Sequence, residues 1–344
     1  MELLAEQIRS LQPRYAAIMK EDLAGRLAEL TRGCKTEILA GADAMEQIAA
    51  DDCVDTVITA VVGAAGLSAA IAAAKAGKSL AIANKEPLVM AGSLICSAAR
   101  SADAELLPVD SEHAALFQCL HRHHMHEVER LVLTGSGGPF RTRQDLADVS
   151  VDEALQHPTW NMGPKITVDS ATMMNKALEI IEAHHLFAVE PERIEVLINP
   201  QSLVHGLVHF RDGSLLAHLS QADMRGPIQQ ALTWPEHRPG QLRPVDLVAL
   251  GQLAFEAPDR HRFPSIDLGY AAARRGGLAP VALNAANECA VQAFLTGQCR
   301  FTDIWDRVGT ALDACPDVPD PDLESILACD AQVRAQAGHG APAS

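Results

Sequence analysis

Aromatic side chains are scarce, 4% of 344 residues, so any core this chain builds is packed from aliphatic groups. Positive charge is scarce as well: 28 Lys and Arg stand against 44 Asp and Glu, a formal net charge of −16. Nucleic-acid binding needs a basic stripe to neutralise phosphates, so that class is set aside. A small anionic substrate is not, because one lysine beside helix amides outweighs distant surface charge at short range. None of the eight cysteines (34, 53, 96, 119, 289, 299, 315, 329) falls in a Cys-x-x-Cys pair. They read as reduced thiols of a cytoplasmic protein rather than disulfides or zinc ligands. No apolar run reaches membrane-spanning length, and Met1-Glu-Leu-Leu-Ala-Glu6 has an early acid where a signal peptide would have its apolar region. There is no internal repeat.

What is present is concentrated in two passages. Ala104-Glu-Leu-Leu-Pro-Val109 is an apolar run that reads as a buried parallel strand, and it stops in Asp110-Ser111-Glu112. Alternate residues of a strand share a face, so Asp110 and Glu112 are expected to point at one spot. The second passage, Asp169-Ser-Ala-Thr-Met-Met-Asn175-Lys176-Ala-Leu-Glu179, reads as the start of a helix bearing a hydroxyl, an amide, an ammonium and then a carboxylate. Three carboxylates, Asp110, Glu112 and Glu179, form the donor set a hard divalent cation prefers. Ser170, Asn175 and Lys176 near a helix start suit a phosphate. The plainer alternative is a solvated strand end and ordinary surface acids, with Lys176 a helix-surface partner for Glu179. Gly135-Ser136-Gly137-Gly138 follows a strand and exposes backbone amides, a weak anion-nest signal by itself. The run from Glu153 to Pro164, with His157, Trp160 and Met162, mixes Pro, Gly and large apolar groups; it is either a surface loop or a lid. His121-Arg-His-His124-Met-His126 reads as an exposed loop.

Along the chain, short strand candidates at 14–18, 36–39, 56–62 and 78–83 alternate with helical spacing, the rhythm of a parallel dinucleotide-binding sheet. The expected class is α/β, in three parts. Residues 1–110 form a Rossmann-type parallel-sheet domain; 111–233 form an α+β catalytic domain with a lid at 153–164; after a linker at 234–259, 260–344 form a small helical domain. Arg211-Asp-Gly-Ser214 predicts a hairpin between 204–210 and 215–219, and 335–344 reads as a frayed tail.

Ala83-Asn-Lys-Glu86, Leu107-Pro-Val-Asp-Ser-Glu-His113, Leu133-Thr-Gly-Ser-Gly-Gly-Pro-Phe140, Val168-Asp-Ser-Ala-Thr-Met-Met-Asn-Lys176, Pro200-Gln-Ser202 and Leu283-Asn-Ala-Ala-Asn-Glu288 occur in that order. In these words the chain resembles the 1-deoxy-D-xylulose 5-phosphate reductoisomerases, over nearly its whole length. The resemblance implies a keto-sugar phosphate rearranged on a divalent cation and then reduced by NADPH to 2-C-methyl-D-erythritol 4-phosphate, in non-mevalonate isoprenoid synthesis. It implies that Asp110, Glu112 and Glu179 hold Mg²⁺ or Mn²⁺, with Co²⁺ a further candidate. Ser136, Ser170, Asn175 and Lys176 would hold the phosphate, while Ser111, Glu112, Trp160 and Glu179 line the substrate. Lys85, His157 and Glu182 would act in catalysis, and Ala60, Asn84, Lys85, Glu86, Gly163 and Met224 would meet the cofactor. His113 and His205 match positions near the site. A homodimer is also implied.

Some features depart from the pattern. Asn199, Pro164 and Pro87 stand where the family commonly has His, a basic residue and Ser. A dinucleotide-binding half should open with strand, glycine-rich turn and helix. Gly63-Ala-Ala-Gly66 is too short and too late for that, so the expectation is an N-terminally truncated domain. Two alternatives follow from it: a catalytically impaired remnant that binds phosphosugar and metal, or a metal-dependent isomerase or aldolase with no redox step.

Overall fold

The computed structural model describes residues 1–338. The parallel-sheet part holds two separate sheets. β1 (Tyr15–Ile18) pairs in parallel with β2 (Glu37–Ala40). β3 (Thr56–Thr59), β4 (Ser79–Ile82) and β5 (Leu106–Pro108) form a second parallel sheet in that order. Helices 67–75 and 86–101 cover this second sheet, and Leu67, Leu80, Ile82, Leu88 and Ile95 are fully buried between them. Burying each such side chain contributes about 1.5–3 kcal/mol.

The middle part is a four-stranded mixed sheet in the order β7-β6-β8-β9: β6 (Val128–Gly135), β7 (Ile194–Ile198), β8 (Val204–Phe210) and β9 (Leu215–Leu219). The β8–β9 hairpin falls where Asp212-Gly213 predicts it, with Gly213 at φ +88°. The Met174–Phe187 helix packs against this sheet, burying Leu178, Ile180 and Ile181. The 234–259 segment, expected as a linker, runs back along this part. Asn199 Nδ2 donates to Ala254 O (2.9 Å), Ile198 and Glu256 bridge through their backbones, and Arg141 pairs with Glu256 at 2.6 Å.

Four helices, 265–275, 279–295, 303–314 and 323–336, complete the chain. Residues 335 and 336 of the last are helical where a frayed tail was expected; 339–344 lie outside the described residues. These helices do not form an isolated unit. Phe263, Ile266, Leu283, Phe294 and Phe301 share one core with Leu131, Leu133 and Ile180 of the middle part, while Val281 and Ile326 join the core of the parallel sheet. Several aromatic residues meet here, with Phe301 edge-on to Phe140, Phe294 and Trp305. All eight cysteines are unpaired.

Candidate active site

Two chain reversals build the site. At the first, β5 ends at Pro108 and Asp110 becomes the N-cap of the Ser111–Leu120 helix, with Glu112 in its first turn. Asp110 and Glu112 do converge, but the strand-to-helix turn brings them together; the strand pleat that suggested it has already ended. At the second, the expected single helix is two. Pro164–Ala171 carries Ser170 in its last turn, and Met174–Phe187 carries Asn175 and Lys176 in its first. Met173 sits between them at φ +62°, a conformation that L side chains adopt only under constraint. The constraint comes from the C-terminal helices: Ser265 Oγ and Trp305 Nε1 both donate to Thr172 O, at 2.6 and 3.3 Å.

These turns gather Asp110, Glu112 and Glu179 so that one oxygen from each lies within 4.8 Å of the others. Two ammonium groups hold them together. Lys85, the N-cap of the Glu86–Ser101 helix, pairs with Asp110, reaches Glu179 at 3.3 Å and donates to Asn175 Oδ1 at 3.0 Å. Lys176 pairs with Glu112 and with Glu179, and Asn175 Nδ2 donates to Glu179. Behind the cluster, His113 Nε2 donates to Glu179 O at 3.0 Å, which leaves Nδ1 facing Glu182 Oε2 at 3.4 Å. Glu182 is fully buried and its carboxyl oxygens have no hydrogen-bond partner.

Charge balance follows from this geometry. Burial opposes ionisation of Asp110 and Glu112, yet Lys85 holds Asp110, and Lys176 holds Glu112, below the usual carboxylate range. With both lysines so used, burial and the neighbouring carboxylates push Glu179 up to about 8 and Glu182 well above its ordinary value. Burial holds His113 down at about 4, so it is neutral. Two carboxylates are thus held toward the ionised form by two ammonium groups, while burial favours the protonated form of Glu179 and Glu182. A divalent cation fits this donor set: it brings the charge that lets Glu179 ionise, and all three donors are hard oxygens.

Ser136 lies in the turn after β6. Gly137 and Gly138 have φ of +86° and +67°, and a Cβ on Gly138 would meet Ser170 O at 2.8 Å, so only glycine lets this turn approach Ser170. Ser136 Oγ accepts from Gly138 N (3.1 Å). His157, on the lid, accepts at Nδ1 from the Thr159 and Trp160 amides (3.1 and 2.8 Å), so its proton is on Nε2 and donates to Ser136 Oγ at 3.1 Å. The Ser136 hydroxyl proton is thereby left for a ligand. Beside the cluster is a cavity of about 210 Å³ whose walls include Ser111, Trp160 and His205. Trp160 stands edge-on to His205, with ring centroids 6.1 Å apart.

The residues expected to meet the cofactor are more scattered. Ala60 and Asn84 follow the carboxyl ends of β3 and β4, where open parallel sheets bind ligands. The Asn84 amide ties down the following turn by donating to Val61 O and Gly63 O. Glu86 is buried and paired with Lys165. Gly163 caps the Pro164–Ala171 helix, and Met224 caps Arg225–Thr233 and is 37% exposed. Asn199 holds its own loop: Oδ1 accepts from the Leu203 and Val204 amides. His121–His126 is an exposed loop in which His124 stacks on His126. Sequence reasoning missed Lys165, Asp169, Asn287 and Arg334. Only the four-residue spacing of Lys165 and Asp169 hinted at a pair.

Fold and site together define the class: an α/β enzyme with a carboxylate–lysine centre where a parallel-sheet part meets a mixed-sheet part. Profile comparison assigns residues 1–92 to 1-deoxy-D-xylulose 5-phosphate reductoisomerase, 106–187 to that enzyme's C-terminal domain, and 219–336 to the DXP reductoisomerase C-terminal domain. The 1-deoxy-D-xylulose 5-phosphate reductoisomerase of Moorella thermoacetica is 49% identical over 98% of this chain and 88% of its own length; that of Cupriavidus necator is 51% identical over 99% and 88%. The Zymomonas mobilis reductoisomerase in complex with NADPH superposes with a TM-score of 0.90 at 42% identity, covering 97% of this chain and 87% of that one. A DOX-P reductoisomerase in complex with NADPH, fosmidomycin and magnesium gives 0.90 at 43%, covering 97% and 88%. The chain belongs to the 1-deoxy-D-xylulose 5-phosphate reductoisomerase family. The alignments run through nearly all of this chain and cover 88% of the length of those two relatives; they do not show the expected N-terminal truncation. The impaired-remnant alternative draws no support from them either.

Proposed function

We propose that this chain converts 1-deoxy-D-xylulose 5-phosphate to 2-C-methyl-D-erythritol 4-phosphate. The carbon skeleton is rearranged by a retro-aldol and aldol sequence, and the resulting aldehyde takes a hydride from NADPH and a proton to become the alcohol. The observation that carries this reading is the convergence of Asp110, Glu112 and Glu179 beside Asn175, Lys176 and the Ser136 turn. These carboxylates would hold Mg²⁺ or Mn²⁺, which when bound acts as a Lewis acid on the substrate's carbonyl and hydroxyl oxygens. With those carboxylates serving a cation, Lys176, which pairs with Glu112 and Glu179 here, would be free to neutralise phosphate. Ser136 offers its free hydroxyl proton to the same group, with Ser170 and Asn175 alongside. Lys85 and Ser111 orient the sugar, and His157, Trp160 and Met162 close over it and exclude water. NADPH would enter over Ala60 and Asn84, near Gly163 and Met224, on the side from which Lys85 projects.

The test is NADPH oxidation by the 344-residue chain, followed at 340 nm, with 1-deoxy-D-xylulose 5-phosphate and Mn²⁺. Turnover that is abolished by EDTA and restored by Mn²⁺ is the expected result. No turnover at saturating cofactor and cation sinks the reading. Substrate consumption without NADPH oxidation would instead favour a non-redox isomerase or aldolase.

The homodimer belongs to the same reading. It is supported by the edge of β9, unpaired among the described residues, where Leu215 and Leu216 are 47% and 42% exposed, and by Leu232, Val248 and Phe255, which are also exposed. No described helix is long and apolar enough to cross a membrane.

A further inference from the structure

Lys165 stands one residue past the lid, in the first turn of the Pro164–Ala171 helix. Its ammonium lies 2.9 Å from Glu86 and 2.9 Å from Asp169. Glu86 opens the Glu86–Ser101 helix immediately after Lys85 and belongs to the parallel-sheet part. Asp169 immediately precedes Ser170, and its other oxygen accepts from Asn287 Nδ2 at 2.8 Å, on a C-terminal helix. The parallel-sheet and middle parts therefore meet at one ammonium group, and a C-terminal helix joins them through Asp169. The two carboxylates are 6% and 1% exposed, so this is no ordinary surface pair of negligible worth. Without the lysine, two buried carboxylates would be left without their cation.

The contact continues toward the cofactor side. Glu288, one residue beyond Asn287, pairs with Arg334 at 2.6 Å. A Cβ on Gly63 would lie 3.7 Å from both Glu288 carboxylate oxygens, and Gly63 opens the turn that Asn84 ties down.

We propose that Lys165 is a positioning residue. By clasping Glu86 and Asp169 it locks the exit of the lid to the parallel-sheet part and sets the neighbouring Lys85 against Asp110, Asn175 and Glu179. Phosphate recognition by Ser136, Ser170, Asn175 and Lys176 does not pass through this clasp; delivery of substrate to the cofactor side does. The kinetic part of the test rests on the reductoisomerase reading, and the stability part does not.

The experiment uses the full chain as Lys165→Met, Lys165→Arg, Glu86→Gln, and Lys165→Met with Glu86→Gln. Lys165→Met is expected to lower kcat by about tenfold or more while KM for the phosphosugar stays within about threefold, and Lys165→Arg to recover most of the loss. A Lys165→Met enzyme with unchanged kcat, or a loss that arginine does not recover, overturns the proposal. If the unmodified chain shows no turnover, that failure belongs to the functional reading, and thermal unfolding decides the clasp. The double variant is expected to be no less stable than Lys165→Met alone. Should the two single losses simply add, Lys165 and Glu86 are uncoupled and the proposal falls.

Discussion

At the residue scale, what governs this protein is four carboxyl groups sharing two ammonium groups. Sequence pattern alone found three of the carboxylates and Lys176, because ligand-type residues cluster in two short words; Lys85 came from the family resemblance. The pattern could not find the division of labour among them, which depends on burial and on which lysine reaches which acid. Glu182 shows the difference. The family resemblance implies a part in catalysis for it, and the fold turns it inward to His113. A buried acid whose folded pKa lies above its unfolded value costs stability once the unfolded chain can release the proton. Below pH 4.5 Glu182 has no effect. As pH rises above that, the penalty grows at up to about 1.4 kcal/mol per unit until the folded pKa is reached. Glu182→Gln is therefore expected to raise Tm over the parent protein more at pH 8 than at pH 5, in metal-free melts. An equal gain at both pH values would mean that Glu182 is ionised in the folded protein.

At the element scale, the 204–210/215–219 hairpin was legible to the residue. Its signal is local: Asp-Gly between two apolar strands. The break at Thr172-Met173 was not legible, because nothing between 164 and 187 interrupts helical spacing. The interruption is imposed by Ser265 and Trp305, some ninety residues and more downstream. The same break faces the Ser136 turn, so phosphate recognition rests on two backbone reversals in contact. Gly138→Ala tests this. Its Cβ would press on Ser170 O at 2.8 Å from a residue at φ +67°. A residue held in such a strained conformation loses about 1–3 kcal/mol. The expected outcome is a lower Tm together with a raised KM for the phosphosugar, since Ser136 and Ser170 are pushed apart. A variant that loses stability yet keeps its KM would show that the turn supports the fold without shaping the phosphate site.

At the scale of the whole molecule, the net charge of −16 and the anionic substrate are reconciled by placement. Lys85 and Lys176 are withdrawn from the surface, where water screens them little, and Lys165 is partly covered, its side chain 26% exposed. Three-part organisation was legible from the alternating, mixed and helical stretches in turn. The shared cores were not, because an amphipathic helix shows that it has a buried face without showing what covers that face. Among the described residues β9 pairs with β8 alone, its Leu215 and Leu216 are exposed, and Leu232, Val248 and Phe255 add to the exposed apolar surface. A free strand edge beside exposed apolar side chains is an association surface, and a stable self-complementary interface buries about 800 Å² per partner. Light scattering after gel filtration is expected to give twice the 36.7 kDa chain mass. Leu216→Lys places a charge on that edge at a position remote in sequence from every metal and phosphate residue. It is expected to shift the population to monomer. A Leu216→Lys protein that remains fully dimeric would move the interface to another face, and a parent chain that runs at 36.7 kDa at micromolar concentration would remove the dimer altogether.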